Sequence, residues 1–113
     1  MNMSEQAIYL EVIKEKVTAF VYPLSMGGDI NKKAFDDLVD YLDKLTKLYQ
    51  YSDMICKNIL YEIYSTAIGI SCENEYYKNK ELDDMYNLIM KYFGLLISGK
   101  TIDDVTSAKP RII

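Results

Sequence analysis

The sequence predicts an all-α fold: one domain, residues 1–113, built as an antiparallel bundle of four main helices with a short C-terminal helical turn. Three observations predict it. Apolar residues recur at three- and four-residue spacing in four separate stretches. Turn or stop signals separate those stretches, and short connections between long helices favour antiparallel neighbours. Half of the residues are apolar, and a domain of this size buries roughly two-thirds of its unfolded surface, so neither metal nor disulfide is required for a core.

The first helix is expected from about Ser4, as its cap, to Phe20, with Leu10, Ile13, Val17 and Phe20 inward. Tyr22-Pro23 should end it, because the residue before proline is pushed out of the helical region. Gly27-Gly28 then makes a turn. The second helix spans about Asn31 to Tyr49, with Phe35, Leu38, Val39, Leu42 and Leu45 as a clean stripe. The third is expected from about Ser52 to Ile70. Its polar residues form one narrow stripe, so it should be the central helix, buried on several sides. Residues Ser71 to Lys80 read as a polar loop. The fourth helix runs from about Glu81 to Ser98, with Leu82, Met85, Ile89, Phe93 and Leu96 inward and Gly99 as its stop. A helical turn follows around Ile102 to Thr106, before a tail ending in Lys109-Pro110-Arg111-Ile112-Ile113.

The charge balance excludes more than it names. Seventeen acids against thirteen bases leave a net charge of −4, and Arg111 is the one arginine. Such a chain is repelled by nucleic-acid phosphates, so direct nucleic-acid binding is not expected. A cationic protein is its electrostatic complement. No apolar run approaches the roughly 20 residues that span a bilayer, and no signal peptide is visible, so a cytoplasmic protein without membrane contact is expected. The two cysteines, Cys56 and Cys72, would lie about 24 Å apart on one continuous helix. That is too far for a bridge, and it suits a reducing compartment. Cys56 reads as buried, Cys72 as a thiol at the helix end.

Two motifs look like chemistry and are better read as coincidence. Gly94-Leu95-Leu96-Ile97-Ser98-Gly99-Lys100-Thr101 satisfies the phosphate-loop pattern, but that loop must join a strand to a helix N-terminus, and here it closes an amphipathic helix. Asp36-Asp37-Leu38-Val39-Asp40 resembles the magnesium motif of prenyl-diphosphate synthases, whose larger cavity and second carboxylate cluster this chain has no room for. With no histidine in the chain, Ser-His-Asp and Cys-His catalysis lack their base. The expectation is a non-enzyme with no catalytic residue, no cofactor and no metal.

Acidity is concentrated in two segments. Asp29 to Asp43 and Glu73 to Asp84 each carry five acids against two lysines, so together they hold −6 and the rest of the chain +2. Asp36, Asp40 and Asp43 share a face of the second helix, either as a solvated surface or as a docking ridge. Tyr76 and Tyr77 stand inside the second segment, and tyrosine gives rigid contact area with a hydrogen-bonding tip. Asp36, Asp40, Asp43, Glu73, Glu75, Tyr76 and Tyr77 are therefore the candidate partner-binding residues.

In size, acidity, helical content and clustered Asp, Glu and Tyr, the chain resembles the small acidic helical immunity proteins that bacteria make against their own toxins. The resemblance implies a protein that binds a basic, nuclease-type toxin domain and masks its active site or substrate surface. Three alternatives stand beside it: a phage-type or regulatory inhibitor that presents acid in place of phosphate, a homo-oligomer, and a small-molecule-binding bundle. The homo-oligomer would be a dimer through helix 3 at Leu60, Tyr61, Tyr64 and Ile68.

Overall fold

The computed structural model describes residues 2–106. It is 83% helical, without strands among the described residues. Four main helices, α1 (Met3–Gly27), α2 (Lys32–Leu48), α3 (Lys57–Tyr77) and α4 (Lys80–Ser98), are followed by the short α5 (Ile102–Thr106). The tail from Ser107 onward, including Lys109 to Ile113, lies outside the described residues.

Consecutive main helices run antiparallel, but the packed pairs form a ring in which α1 touches α2 and α3, and α4 touches α2 and α3. At one end, the Cys56 N–H that opens α3 donates to the buried Gln6 side chain near the start of α1. At the other end, Tyr77 of α3 lies against Gly28 just past α1. Helices α1 and α3 therefore run side by side in the same direction. The Tyr92 hydroxyl donates to Asp43 at 3.3 Å, which aligns α4 with α2 in the same way. The connection from α2 to α3 must then cross the end of the bundle diagonally.

The core is the sum of four inward stripes. Ile13, Phe20 and Leu24 of α1 meet Phe35, Leu38, Leu42 and Leu45 of α2, Ile59, Ile63, Ala67 and Ile70 of α3, and Leu82, Met85 and Ile89 of α4. The Phe20 and Phe35 rings stand 5.2 Å apart across the α1–α2 contact.

Four boundaries differ from the sequence expectation, each for a local reason. Asn2 caps α1, its side chain accepting from Glu5 N–H at 2.9 Å, so Ser4 lies inside the helix. Pro23 does not end α1. It leaves the Ala19 carbonyl without its helical donor, but Leu24 beyond it is buried in the core. The helix stops instead where Gly28 turns left-handed (φ 74°) and donates to the Leu24 carbonyl at 2.8 Å. Helix α3 starts at Lys57, because the Ser52 hydroxyl closes a turn onto Met54. It then continues through Ser71–Tyr77, the expected loop, until Lys78 takes φ 51°. Cys72 is accordingly an exposed thiol inside the helix, and Cys56 is the partly buried residue at its N-terminal cap.

Nor is α3 central. It occupies one corner of the ring, with Tyr61 69% and Tyr64 44% exposed. The remaining elements meet expectation, except that α4 buries Tyr92 and Leu95 while Phe93, expected inward, is only partly covered and meets Tyr64. Asn31 caps α2 through Ala34 N–H, and Asn79 caps α4 through Glu81 N–H. Gly99, at φ 71°, closes α4 with the paired Gly99-to-Leu96 and Lys100-to-Leu95 bonds of a Schellman turn. Thr101 and Asp104 bond reciprocally to start α5, and Gln50 donates to Asp104, which fastens α5 to the end of α2.

Two stability outcomes follow from this packing. Ile59→Ala or Leu42→Ala, each at a fully buried position, should cost about 2–5 kcal/mol in denaturant unfolding. A loss well under 1 kcal/mol would place the core elsewhere. Gly28→Ala should cost about 1–3 kcal/mol, from left-handed strain and from a methyl built 2.8 Å from the Tyr77 ring. An unchanged midpoint would show that Tyr77 does not rest on this turn.

Candidate protein-binding surfaces

Three surfaces can be built from the residues upward: an acidic pole, an aromatic stripe on α3, and a groove between α1 and α2. The pole is the end of the bundle where α1 and α3 finish and α2 and α4 begin. The Tyr77–Gly28 contact brings the last turn of α3 onto the α1–α2 turn. The Lys32 ammonium is held above its usual range by its hydrogen bond to Asp36, and Glu81 of α4 adds to that effect. The two acidic segments, distant in sequence, thus converge here.

The expected partner-binding residues divide on this frame. Asp36 lies in the second turn of α2, 2.8 Å from Lys32, and Asp40 follows one turn on. Glu73, Glu75, Tyr76 and Tyr77 form the last turn of α3 rather than a loop, so their spacing is helical. Tyr76 is 83% exposed and stands edge-on to Tyr77, with ring centroids 5.0 Å apart. Tyr77 is partly covered because its ring rests on Gly28. Glu73 is half-buried, and Glu75 is exposed.

Asp43 is set apart from the pole. It lies about 10.5 Å beyond Asp36 along the α2 axis, accepts from Tyr92, and pairs with Lys47 at 3.3 Å. Burial, then the Asp43 charge and hydrogen bond, hold the Tyr92 phenol above its ordinary range. Asp43 works chiefly in the α2–α4 contact.

The ridge on α2 is also partly neutralised by its own helix. Lys32–Asp36, Lys33–Asp37 and Lys47–Asp43 are all i,i+4 pairs, and exposed pairs of this kind contribute little to stability. Asp40 has no ion-pair partner among the described residues, although Lys44 is one turn away.

The second surface is the outward side of α3. Lys57, Tyr61, Tyr64, Ile68, Cys72 and Glu75 follow one another at three- and four-residue steps and so lie along one line. All six are exposed. Tyr64 meets Phe93 of α4 at 5.5 Å between ring centroids, and Ile97 beside it is 58% exposed. The sequence named Tyr61, Tyr64 and Ile68 for self-association, with Leu60, which the structure half-buries against the core. It placed Phe93 inward and did not single out Ile97 or Lys57. Lys57 carried no such signal, because the expected start near Ser52 put it beyond the first turn; only the start at Lys57 sets its charge against the helix dipole.

The third surface is an open groove of about 330 Å³ between α1 and α2, lined by Glu15, Lys16, Ala19, Asn31, Lys33, Ala34 and Asp37. Charged on both walls, it lacks the enclosed apolar lining of a small-molecule site. Among the described residues, no group of three His, Cys, Asp or Glu is arranged to hold a metal ion. No described helix is long and apolar enough to cross a membrane. Gly94 sits inside α4 and Gly99 caps it, so the phosphate-loop pattern is a helix end. Comparison with protein families, curated proteins and solved structures finds no match to this chain.

One buried polar atom stands out. Tyr49 is 2% exposed, and its hydroxyl has no hydrogen-bond partner among the described residues. Its pKa is pushed up to about 12, first by burial and then by Tyr9, Cys56, Tyr41 and Glu5 nearby. The neutral phenol is the form the fold accepts. This contribution to stability is whole below the ordinary tyrosine pKa of 10.0 and is lost as pH rises toward 12. Tyr49→Phe should leave the melting temperature unchanged or raise it, and should blunt the loss of stability in that alkaline window. A loss above about 1 kcal/mol at neutral pH would reveal a partner for the hydroxyl.

Proposed function

We propose that this chain is a non-catalytic binding protein that neutralises a basic protein partner at its acidic pole. One observation carries the reading: residues Asp29–Asp40 and Glu73–Asp84, which hold −5 between them, come toward the same end of the bundle, around an exposed tyrosine. Asp36, Asp40, Glu73 and Glu81 supply the field that steers a cationic surface inward. Tyr76, rigid and amphipathic, supplies the contact that slows its release. Asp43 belongs to the packing behind this surface.

The resemblance to immunity proteins suggests the class of partner, a nuclease-type toxin domain met in the cytoplasm. Binding there would cover the phosphate-binding surface of such a domain without any chemistry by this chain. A regulatory inhibitor of a nucleic-acid-binding protein would use the same pole and differ only in its target.

The test is capture from the native host on tagged protein at low and at high salt. A single basic protein should be retained at about 50 mM salt and lost by about 500 mM, since exposed charges separated by a Debye length are then screened. The Asp36→Asn/Asp40→Asn variant should slow association, and Tyr76→Ala should speed dissociation, both with unchanged circular dichroism. Recovery of the chain alone at every salt concentration would refute the reading.

A further inference from the structure

The stripe on α3 is self-complementary. Lys57 and Glu75 mark its two ends, 18 residues and five helical turns apart, about 27 Å along one line. Between them lie Tyr61, Tyr64, Ile68 and Cys72. Two copies of α3 laid antiparallel across a two-fold axis between Tyr64 and Ile68 bring each residue to a suitable counterpart. Tyr64 meets Ile68 of the second copy, Tyr61 meets Cys72, and Lys57 meets Glu75. A two-fold interface requires such self-matching of one patch.

The charges at the two ends point the same way for a separate reason. The first turn of α3 carries no acid and its last turn no base. Lys57 at the start and Glu75 in the last turn both oppose the helix dipole. Neither has an ion-pair partner among the described residues, so each is open to a charge on another molecule. Helix stability disfavours these two charges where they stand; a partner helix running the other way would match both.

We propose that the outward face of α3, flanked by Phe93 and Ile97 of α4, is the interface of a homodimer in which two α3 helices cross near-antiparallel. A crossing angle of about 20° keeps the whole stripe in contact. Its size sets the strength. Tyr61 and Tyr64, 69% and 44% exposed, offer roughly 200 Å² together, at ~150–250 Å² per aromatic side chain. With Ile68, Ile97 and the stems of Lys57 and Glu75, each copy offers on the order of 500 Å², below the ~800 Å² of a standard interface. The dimer is therefore weak and concentration-dependent. Glu75 is shared with the acidic pole, whereas Asp36 and Asp40 on α2 lie outside this face, so substitutions on α2 separate capture of a basic partner from dimerisation.

Analytical ultracentrifugation of the wild-type chain from about 5 to 500 µM, a range suited to a weak interface of this size, should show mass rising from monomer to dimer. Ile68→Asp should hold it at monomer. Lys57→Glu and Glu75→Lys each turn two facing opposite charges into two like pairs and should weaken the dimer about 5- to 30-fold, as two exposed contacts allow. The double exchange, Lys57→Glu with Glu75→Lys, should restore it. Each exchange should leave the melting temperature of the dilute monomer equal or higher, since each now agrees with the dipole. A monomer at every concentration overturns the proposal, and so does a dimer indifferent to Ile68→Asp or to the single charge exchanges. Failure of partner capture at the acidic pole would leave these outcomes unchanged.

Discussion

Helix α3 has apolar and aromatic side chains around more of its circumference than two neighbours can cover. Much of the architecture follows from that constraint. Ile59, Ile63, Ala67 and Ile70 fill the core against α1 and α4, while Tyr61, Tyr64 and Ile68 on the outer side are left to solvent. A helix in the middle of a bundle would have hidden them. In this ring each helix has two neighbours, so an outward face is unavoidable, and α3 has the most apolar one.

The ring order also determines where the acid goes. With α1 parallel to α3 and α2 parallel to α4, the acidic starts of α2 and α4 and the acidic end of α3 meet at one pole. The contact of Tyr77 with Gly28 is the hinge pin of that arrangement. A left-handed glycine with no Cβ leaves room for the ring, and the ring anchors the end of α3 on the turn between α1 and α2. The surface of the molecule is thus divided between a charged pole suited to steering and an aromatic side suited to packing.

The fold was legible where burial speaks through periodicity. The stripe of α2, Phe35 to Leu45, and that of α4, Leu82 to Leu96 apart from Phe93, translate directly into inward faces, and Gly99 stops α4 as its position indicates. What was illegible depended on partners far along the chain. Pro23 is a local stop signal overridden by the burial of Leu24. Residues 71–77 look like a loop because they are polar, yet a helix end that faces water can be polar, and Asn79 rather than Ser71 interrupts the pattern. Gln6, aligned with Leu10 and Ile13, is a polar residue on an apolar face, and only the structure shows Cys56 N–H as its reason. Among the candidate site residues, charge clustering picked out Asp36 and Glu73, which the fold carries to one end of the bundle, and Asp40 one turn further along α2. It could not separate Asp43, whose role depends on Tyr92, forty-nine residues away.

Apart from Glu75, the acidic pole and the aromatic side of α3 share no residue, and self-association should involve the second alone. Backbone amide NMR spectra recorded through a dilution series test it residue by residue. The expected result is concentration-dependent shifts confined to Lys57, Tyr61, Tyr64, Ile68, Cys72 and Glu75, with Phe93 and Ile97 of α4, while Asp36, Asp40 and Gly28 hold still. Spectra that do not change on dilution, or shifts centred on the acidic pole, would contradict it.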